Sequence, residues 1–390
     1  MPSHTDPARV PAAARPREPG LRGTQMKLSF LQPLYCRPGP WASTYLDTSR
    51  DVEEPDRVIA SRWRRLRDDL AAHGADPATV HALHAAVGID DDLPGRHGQA
   101  LFAARGELVL AEELPAPPPH DTASVDDLPD VLPLALQRAP DLPYLALFIG
   151  RTEDADSIRL AAQAERWPAG RIDADLAVRQ TVPGAEWQQT APQLARDLAD
   201  LADRAGAEVL VLGRDPGDSW VSGVLVDRMP EHLRKNLVTV DNHNPGGTMD
   251  RALLEEQLAR ELGGRLNAAD QARLEAYLAQ RARDREASEG TTATVTALRR
   301  AQATAVLIND PPSLPDRLWA GPEATHIAES ARELRACGVE CVREESAGAA
   351  LLRAAAGTGA ELVVVPRRTL PLDGGVGVLL RHHDTLTPSR

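Results

Sequence analysis

The chain has 390 residues, 42% of them apolar, which is enough for ordinary cores in two to four domains. Its formal net charge of −13 excludes a general nucleic-acid binder, because unspecific affinity comes from Lys and Arg neutralising phosphates, so any RNA contact must be local. No run of eighteen apolar residues and no apolar N-terminal segment occur, which excludes a spanning helix and a secretion signal, and Cys36, Cys337 and Cys341 are too few for a disulfide scaffold.

Residues 1–25 are rich in Pro, Ala and Arg without periodicity and are expected to be disordered. Residues 41–46 read as extended. Residues 55–73 then read as a helix with Ile59, Trp63, Leu66 and Leu70 on one face and Arg62, Arg64, Arg65 and Arg67, the densest arginine cluster of the chain, around it. A second helix at 77–87 and a hairpin of 98–104 with 107–112, turning at Arg105-Gly106, complete a small α/β unit. Residues 115–143, broken by prolines and acidic, read as the link onward.

The next unit opens with strands at 144–149 and 157–162. Thr190-Ala-Pro-Gln193 has the form of a capping box with Pro192 in the first turn, so a helix is predicted to start there. Leu194, Leu198, Leu201 and Ala205 form its apolar stripe and Gly206 its end. A buried strand at 208–212, a loop at 214–218, a helix at 220–227 and a strand at 237–240 follow, and this alternation implies a layered α/β domain. Gly246-Gly247-Thr248 reads as a turn. Residues 250–286 read as one long helix bent at Gly263-Gly264. The last unit is predicted as a helix from Thr292, then strand 305–309, helix 324–336, strand 339–342, helix 347–356 and strand 361–365, with Cys337 and Cys341 as buried packing.

The passage from Glu186 to Asp215, a loop, a helix and an interior strand, resembles the middle domain of archaeal and eukaryotic class I release factors and of Pelota. Met26 and the run after it, and the ending Leu372-Asp-Gly-Gly-Val-Gly-Val-Leu-Leu-Arg381, are similar to the opening and close of the bacterial release-factor-like branch, which includes the hibernation factor Balon; the second glycine of the pair is one more than the branch carries. Met1 and Met26 are alternative starts on this reading. The resemblance covers residues 26–382 and implies an α/β chain of three domains: 26–139, 140–287 ending in the long helix, and 288–390, an α/β/α domain of the kink-turn-binding ribosomal protein type.

The catalytic members carry Gly-Gly-Gln in the loop before the helix, where glycines allow backbone conformations that a Cβ forbids. Here Gly184-Ala185-Glu186-Trp187-Gln188-Gln189 stands in its place, and the Glu186 carboxylate would oppose a developing oxyanion. The resemblance therefore implies a non-enzymatic factor in the ribosomal A site during stress. Arg62, Arg64, Arg65 and Arg67 are candidates for ribosomal RNA, Trp187, Gln188 and Gln189 for the peptidyl-transferase side, and Arg234 and Lys235 are further basic candidates. A solvated face and a helix lead-in are the plain alternatives for these residues. Without a Gly-x-x-x-x-Gly-Lys loop no nucleotide is expected, and the implied partner is a translational GTPase such as elongation factor Tu. No cofactor, metal, DNA or membrane partner is expected; His382-His383 lacks a third ligand and Asp90-Asp91-Asp92 lacks calcium-loop spacing. A peptidyl-tRNA hydrolase and a non-ribosomal adapter are the rival readings.

Overall fold

The computed structural model of the chain describes residues 28–89, 95–152, 156–168, 170–171, 177–214, 219–241 and 251–381. The expectations for residues 1–25, Asp90 to Asp92, the body of the 214–218 loop, Gly246-Gly247-Thr248 and His382-His383 lie outside the described residues.

The first domain starts with a 3-10 turn, Ser29–Leu31, running into α1 (Gln32–Tyr35), whose spacing buries Leu28, Leu31 and Leu34 together. β1 (Trp41–Asp47) is followed by α2 (Pro55–Ala72) with the predicted face buried, and by α3 (Pro77–His84), capped by Asp76 Oδ1, which accepts from the Thr79 amide at 2.9 Å. β2 (Gly98–Ala104) and β3 (Glu107–Leu114) meet across Arg105 (φ 53°) and Gly106 (φ 80°), a two-residue hairpin with both central residues left-handed. The stretch read as a link instead forms β4 (Thr122–Asp126) and α4 (Leu132–Arg138). The sheet order is β3-β2-β1-β4, all antiparallel. Alternate residues of β1 serve two cores: Ala42 and Leu46 pack under α2 and α3, while Trp41 and Tyr45 face the other way.

In the middle domain the strands are β5 (Leu142–Arg151), β6 (Ser157–Trp167), β7 (Gly170–Arg171) and β8 (Ala177–Pro183), followed by α5 (Trp187–Ala205), β9 (Val209–Arg214), α6 (Ser219–Val226), α7 (Glu231–Lys235), β10 (Leu237–Asp241) and α8 (Arg251–Leu262). The sheet runs β10-β9-β5-β6-β7 with β8 also on β6; β5, β9 and β10 are parallel, and β6 and β8 antiparallel. Val209 to Leu212 is interior and buried on both faces, as its unbroken apolar run requires. One face takes α5 and α6, with Leu194, Leu198 and Leu201 against Leu145, Leu147 and Leu160; the other takes Leu258 and Leu262 of α8. Gly206 ends α5 at φ 63°.

The long helix predicted over 250–286 is two helices. Gly264 sits at φ 80°, where a Cβ would come within 2.9 Å of Pro366 Cγ, and Asn267 caps a new helix by accepting from the Asp270 amide at 2.8 Å. This α9 (Ala268–Arg283) lays Leu274 and Tyr277 on the last sheet. There follow α10 (Thr291–Arg299), β11 (Ala303–Asp310), β12 (Arg317–Ala320), β13 (Ile327–Ala328), α11 (Ala331–Ala336), β14 (Arg343–Ser346), α12 (Ala347–Thr358), β15 (Glu361–Pro366) and β16 (Val376–Leu380). The sheet β15-β11-β16 lies between α9 on one face and α10 and α12 on the other, a three-layer α/β/α arrangement, and β13-β12-β14 form a second small sheet.

Three readings in this domain are corrected. The helix expected at 324–336 begins at Ala331, because Ile327 and Ala328 pair with β12. The strand expected at 339–342 is coil: Val339 anchors Leu334 and Ala328 after a left-handed Gly338, and the strand falls on Arg343–Ser346. Cys337 and Cys341 are exposed.

The first and last domains share one core. Trp41, Tyr45, Phe102 and Leu134 pack in a continuous cluster with Val306, Leu318, Leu351 and Leu352. The approach is close enough that a Cβ on Gly348 of α12 would lie 2.7 Å from Leu132 Cδ2 of α4.

Candidate functional site

The middle domain ends in a polar tip where the carboxyl end of β5, the amino end of β6, the turn after β8 and the first turns of α5 and α6 converge. Gly184 opens the turn, its amide donating to the Asp156 carbonyl at 2.8 Å, and a 3-10 turn over Gly184–Glu186 leads directly into α5. The helix thus begins three residues before the predicted start. Thr190 is not its cap: Gln193 Nε2 donates instead to Asp197 Oδ1 at 2.7 Å, and Pro192 lies inside the helix, leaving the Gln188 carbonyl without an intrahelical donor.

The cause of the early start is Trp187. Its side chain is fully buried and its Nε1–H donates to the Val221 carbonyl of α6 at 3.2 Å, so the indole pins α5 to α6. Gln188, Gln189 and Glu186 are exposed around it. Of the three candidates on this side, Trp187 is therefore a structural staple, and the two glutamines are exposed, held on a helix rather than a loop. At the same tip the Arg151 guanidinium lies over the ring of Trp220, 5.5 Å from its centroid.

The arginine cluster is not four free cations. Arg62 straps α2 to β1: Nη2 meets Asp47 Oδ2 at 2.8 Å, Nη1 donates to the Asp47 carbonyl at 2.8 Å, and Nε lies 3.8 Å from Asp121 Oδ2. Arg65 also approaches Asp121, at 3.9 Å, and Arg67 pairs with Asp68 at 2.8 Å. Arg64 is exposed and has no ion pair among the described residues. On α7, Lys235 pairs with Glu231 at 2.9 Å and Arg234 is exposed. The structure thus places the candidates at three separated positions: α2 of the first domain, the tip, and α7.

An open groove of about 560 Å³ between β8 and α5 is lined by Val178, Gln180, Asp197, Asp200, Asp203 and Arg204. Three carboxylates against one arginine make it a poor receptor for phosphate. Among the described residues no group of three or more His, Cys, Asp and Glu side chains could hold a metal ion, and no helix is long and apolar enough to cross a membrane.

Two carboxyls are perturbed where the first domain meets the last. Burial pushes the Glu345 carboxyl up to about 7, with Asp127 and Asp126 adding repulsion; its Oε2 accepts from the Leu128 amide at 3.3 Å. Burial likewise lifts Asp130 to about 6, with help from Asp126, beside a Tyr45 whose hydroxyl donates to the Asp130 carbonyl at 2.6 Å. Nothing in the sequence pairs these positions, which are far apart along the chain.

The middle domain is thus a mixed sheet with a long amphipathic helix across it and a polar tip at the helix start. Residues 151–283 match the family model for Bacterial archaeo-eukaryotic release factor family 2. It is similar along nearly its whole length to an uncharacterized protein of Mycobacterium tuberculosis, at 24% identity over 377 residues, 92% of this chain and 98% of that one. Among solved structures it matches an archaeal translation termination factor at 14% identity, over 91% of this chain and 97% of the other, with a TM-score of 0.21. It also matches Archaeoglobus fulgidus Pelota at 13% identity, over 91% and 92%, with a TM-score of 0.37.

Proposed function

We propose that the protein is a ribosome-binding translation factor of the hibernation type, similar in role to Balon, that occupies the A site and blocks the decoding and peptidyl-transferase centres without hydrolysing peptidyl-tRNA. The observation that carries this reading is the tip of a release-factor-like domain in which the position of the catalytic triplet is rebuilt as rigid helix. Hydrolysis by this class depends on a backbone that approaches the ester closely, which glycines permit. Here Trp187 is buried under the sheet side of α6, and the exposed neighbours are Glu186, Gln188 and Gln189. A carboxylate at that place raises the cost of an oxyanion, and helical φ and ψ fix the glutamines away from an adjustable loop. The chain offers no phosphate-binding loop of its own, so delivery by a translational GTPase such as elongation factor Tu is part of the proposal. A cytoplasmic location follows from the role.

Co-sedimentation tests it. Purified protein is expected to travel with ribosomes lacking an A-site ligand, to be displaced by A-site tRNA, and to inhibit translation in a reconstituted system. Protein that stays at the top of the gradient under all loadings would favour the adapter reading instead.

A further inference from the structure

Trp220 is the one large hydrophobic side chain exposed in the middle-domain sheet and its helices among the described residues, at 44%; the others are Val52, Ile89 and Leu108 in the first domain and Leu278 on α9. It stands in the first turn of α6 beside Val221, whose carbonyl receives the Trp187 indole N–H, and both Val221 and Leu225 are fully buried, so the ring is carried on a fixed element. Arg151, from the end of β5, lies over one side of the ring. We propose that Trp220 with Arg151 is a stacking platform for a single unpaired RNA base at the tip of the middle domain. This rests on the ribosome-binding reading and names a contact within it.

The chemistry selects the ligand. A flat π surface flanked by a guanidinium plane is what unstacked bases use in single-stranded RNA, and such stacking tolerates any base because each has a π face. The tip does not favour phosphate, since an exposed carboxylate, Glu186, stands at the start of α5 on the same tip. It does not favour a protein partner, since protein interfaces need a contiguous apolar patch and, among the described residues, Trp220 is the one large hydrophobic side chain exposed on the middle-domain sheet and its helices. The exposed amide groups of Gln188 and Gln189 supply donors and acceptors for a base edge.

The test uses full-length protein and purified ribosomes, with Trp220→Ala and Trp220→Phe measured for affinity, for melting temperature and for protection of ribosomal RNA bases from chemical modification. Loss of one stacked base corresponds to roughly tenfold weaker binding for Trp220→Ala. Trp220→Phe is expected to stay within about threefold of wild type, because it keeps a π face. Both variants are expected to melt with wild type, and at least one base protected by wild type is expected to become reactive with Trp220→Ala. Wild-type affinity in Trp220→Ala would overturn the platform. So would a tenfold loss with an unchanged protection pattern, which would assign the contact to ribosomal protein, or a loss that tracks a lower melting temperature. Failure of wild type itself to bind ribosomes would instead remove the ribosomal reading on which the platform stands.

Discussion

Trp187 and Arg62 carry the two roles that are most easily mistaken for contacts with a partner. Trp187 is fully buried, with its indole N–H on the Val221 carbonyl, so Trp187→Ala leaves a cavity between α5 and α6 and removes the bond that ties them. A loss of about 3–5 kcal/mol in chemical denaturation is expected, and a loss under about 1 kcal/mol would show that the staple does not hold. Arg62 bridges Asp47 and Asp121, both side chains being only 22% and 19% exposed, so Arg62→Ala strands two partly desolvated carboxylates and is expected to cost about 1–3 kcal/mol. Arg64, exposed on the same helix, is expected to leave stability untouched when changed to Glu but to lower the salt slope of ribosome binding by about 1. A salt slope that responds to Arg62 and not to Arg64 would reverse the two assignments. The sequence showed the arginine cluster but not this division, because Asp47 and Asp121 are brought to α2 by β1 and by the approach to β4, contacts with no local signature.

The clearest element is α5. Leu194, Leu198 and Leu201 are buried as their spacing requires, and Gly206 takes the left-handed conformation that ends the helix. Leu198 is fully buried against the middle sheet, so Leu198→Asp places an unpaired charge there; a loss of about 4 kcal/mol or more is expected, or failure to fold. A melting curve that hardly moved would assign the wrong face. Amphipathic periodicity made this face legible, as it did for Ile59, Trp63, Leu66 and Leu70 of α2, and the Arg105-Gly106 turn between two runs marked the hairpin. The start of α5 was not legible: Thr190 to Gln193 has the composition of a cap, yet the tertiary bond from Trp187 to α6 extends the helix backwards over it. The same override places a strand bridge at Ile327–Ala328 where alanine-rich sequence reads as helix, since pairing with β12 outweighs propensity.

At the scale of the molecule the chief finding is that the first and last domains are joined. The core running from Trp41 and Phe102 to Leu351 and Leu352 makes the first and last domains one packed body, a contact that no periodicity encodes because it couples segments more than two hundred residues apart. The buried carboxyls at this seam give it a pH signature. The folded-state values of Glu345, about 7, and Asp130, about 6, lie above the ordinary carboxylate range, so the native state holds protons that the unfolded chain has released. Their stabilising contribution is complete below that range and is lost as pH rises through about 6 and about 7. Glu345→Gln, which keeps an acceptor for the Leu128 amide, is expected to raise the melting temperature at about pH 8 and to shrink the difference between about pH 5 and about pH 8. An unchanged pH difference would mean that Glu345 is solvated at the seam. The helix that runs from Trp187 through the place of the catalytic Gly-Gly-Gln is the feature on which the functional account depends, and it is tested most directly by release of labelled peptide from stalled ribosomes carrying peptidyl-tRNA, with wild-type protein and with Gln188→Ala and Gln189→Ala together. The account predicts that the protein binds these complexes, excludes an active release factor and liberates no peptide above background, with the double variant indistinguishable from wild type in release. Peptide release by wild type that is lost in the glutamine variant would contradict it and establish a hydrolase.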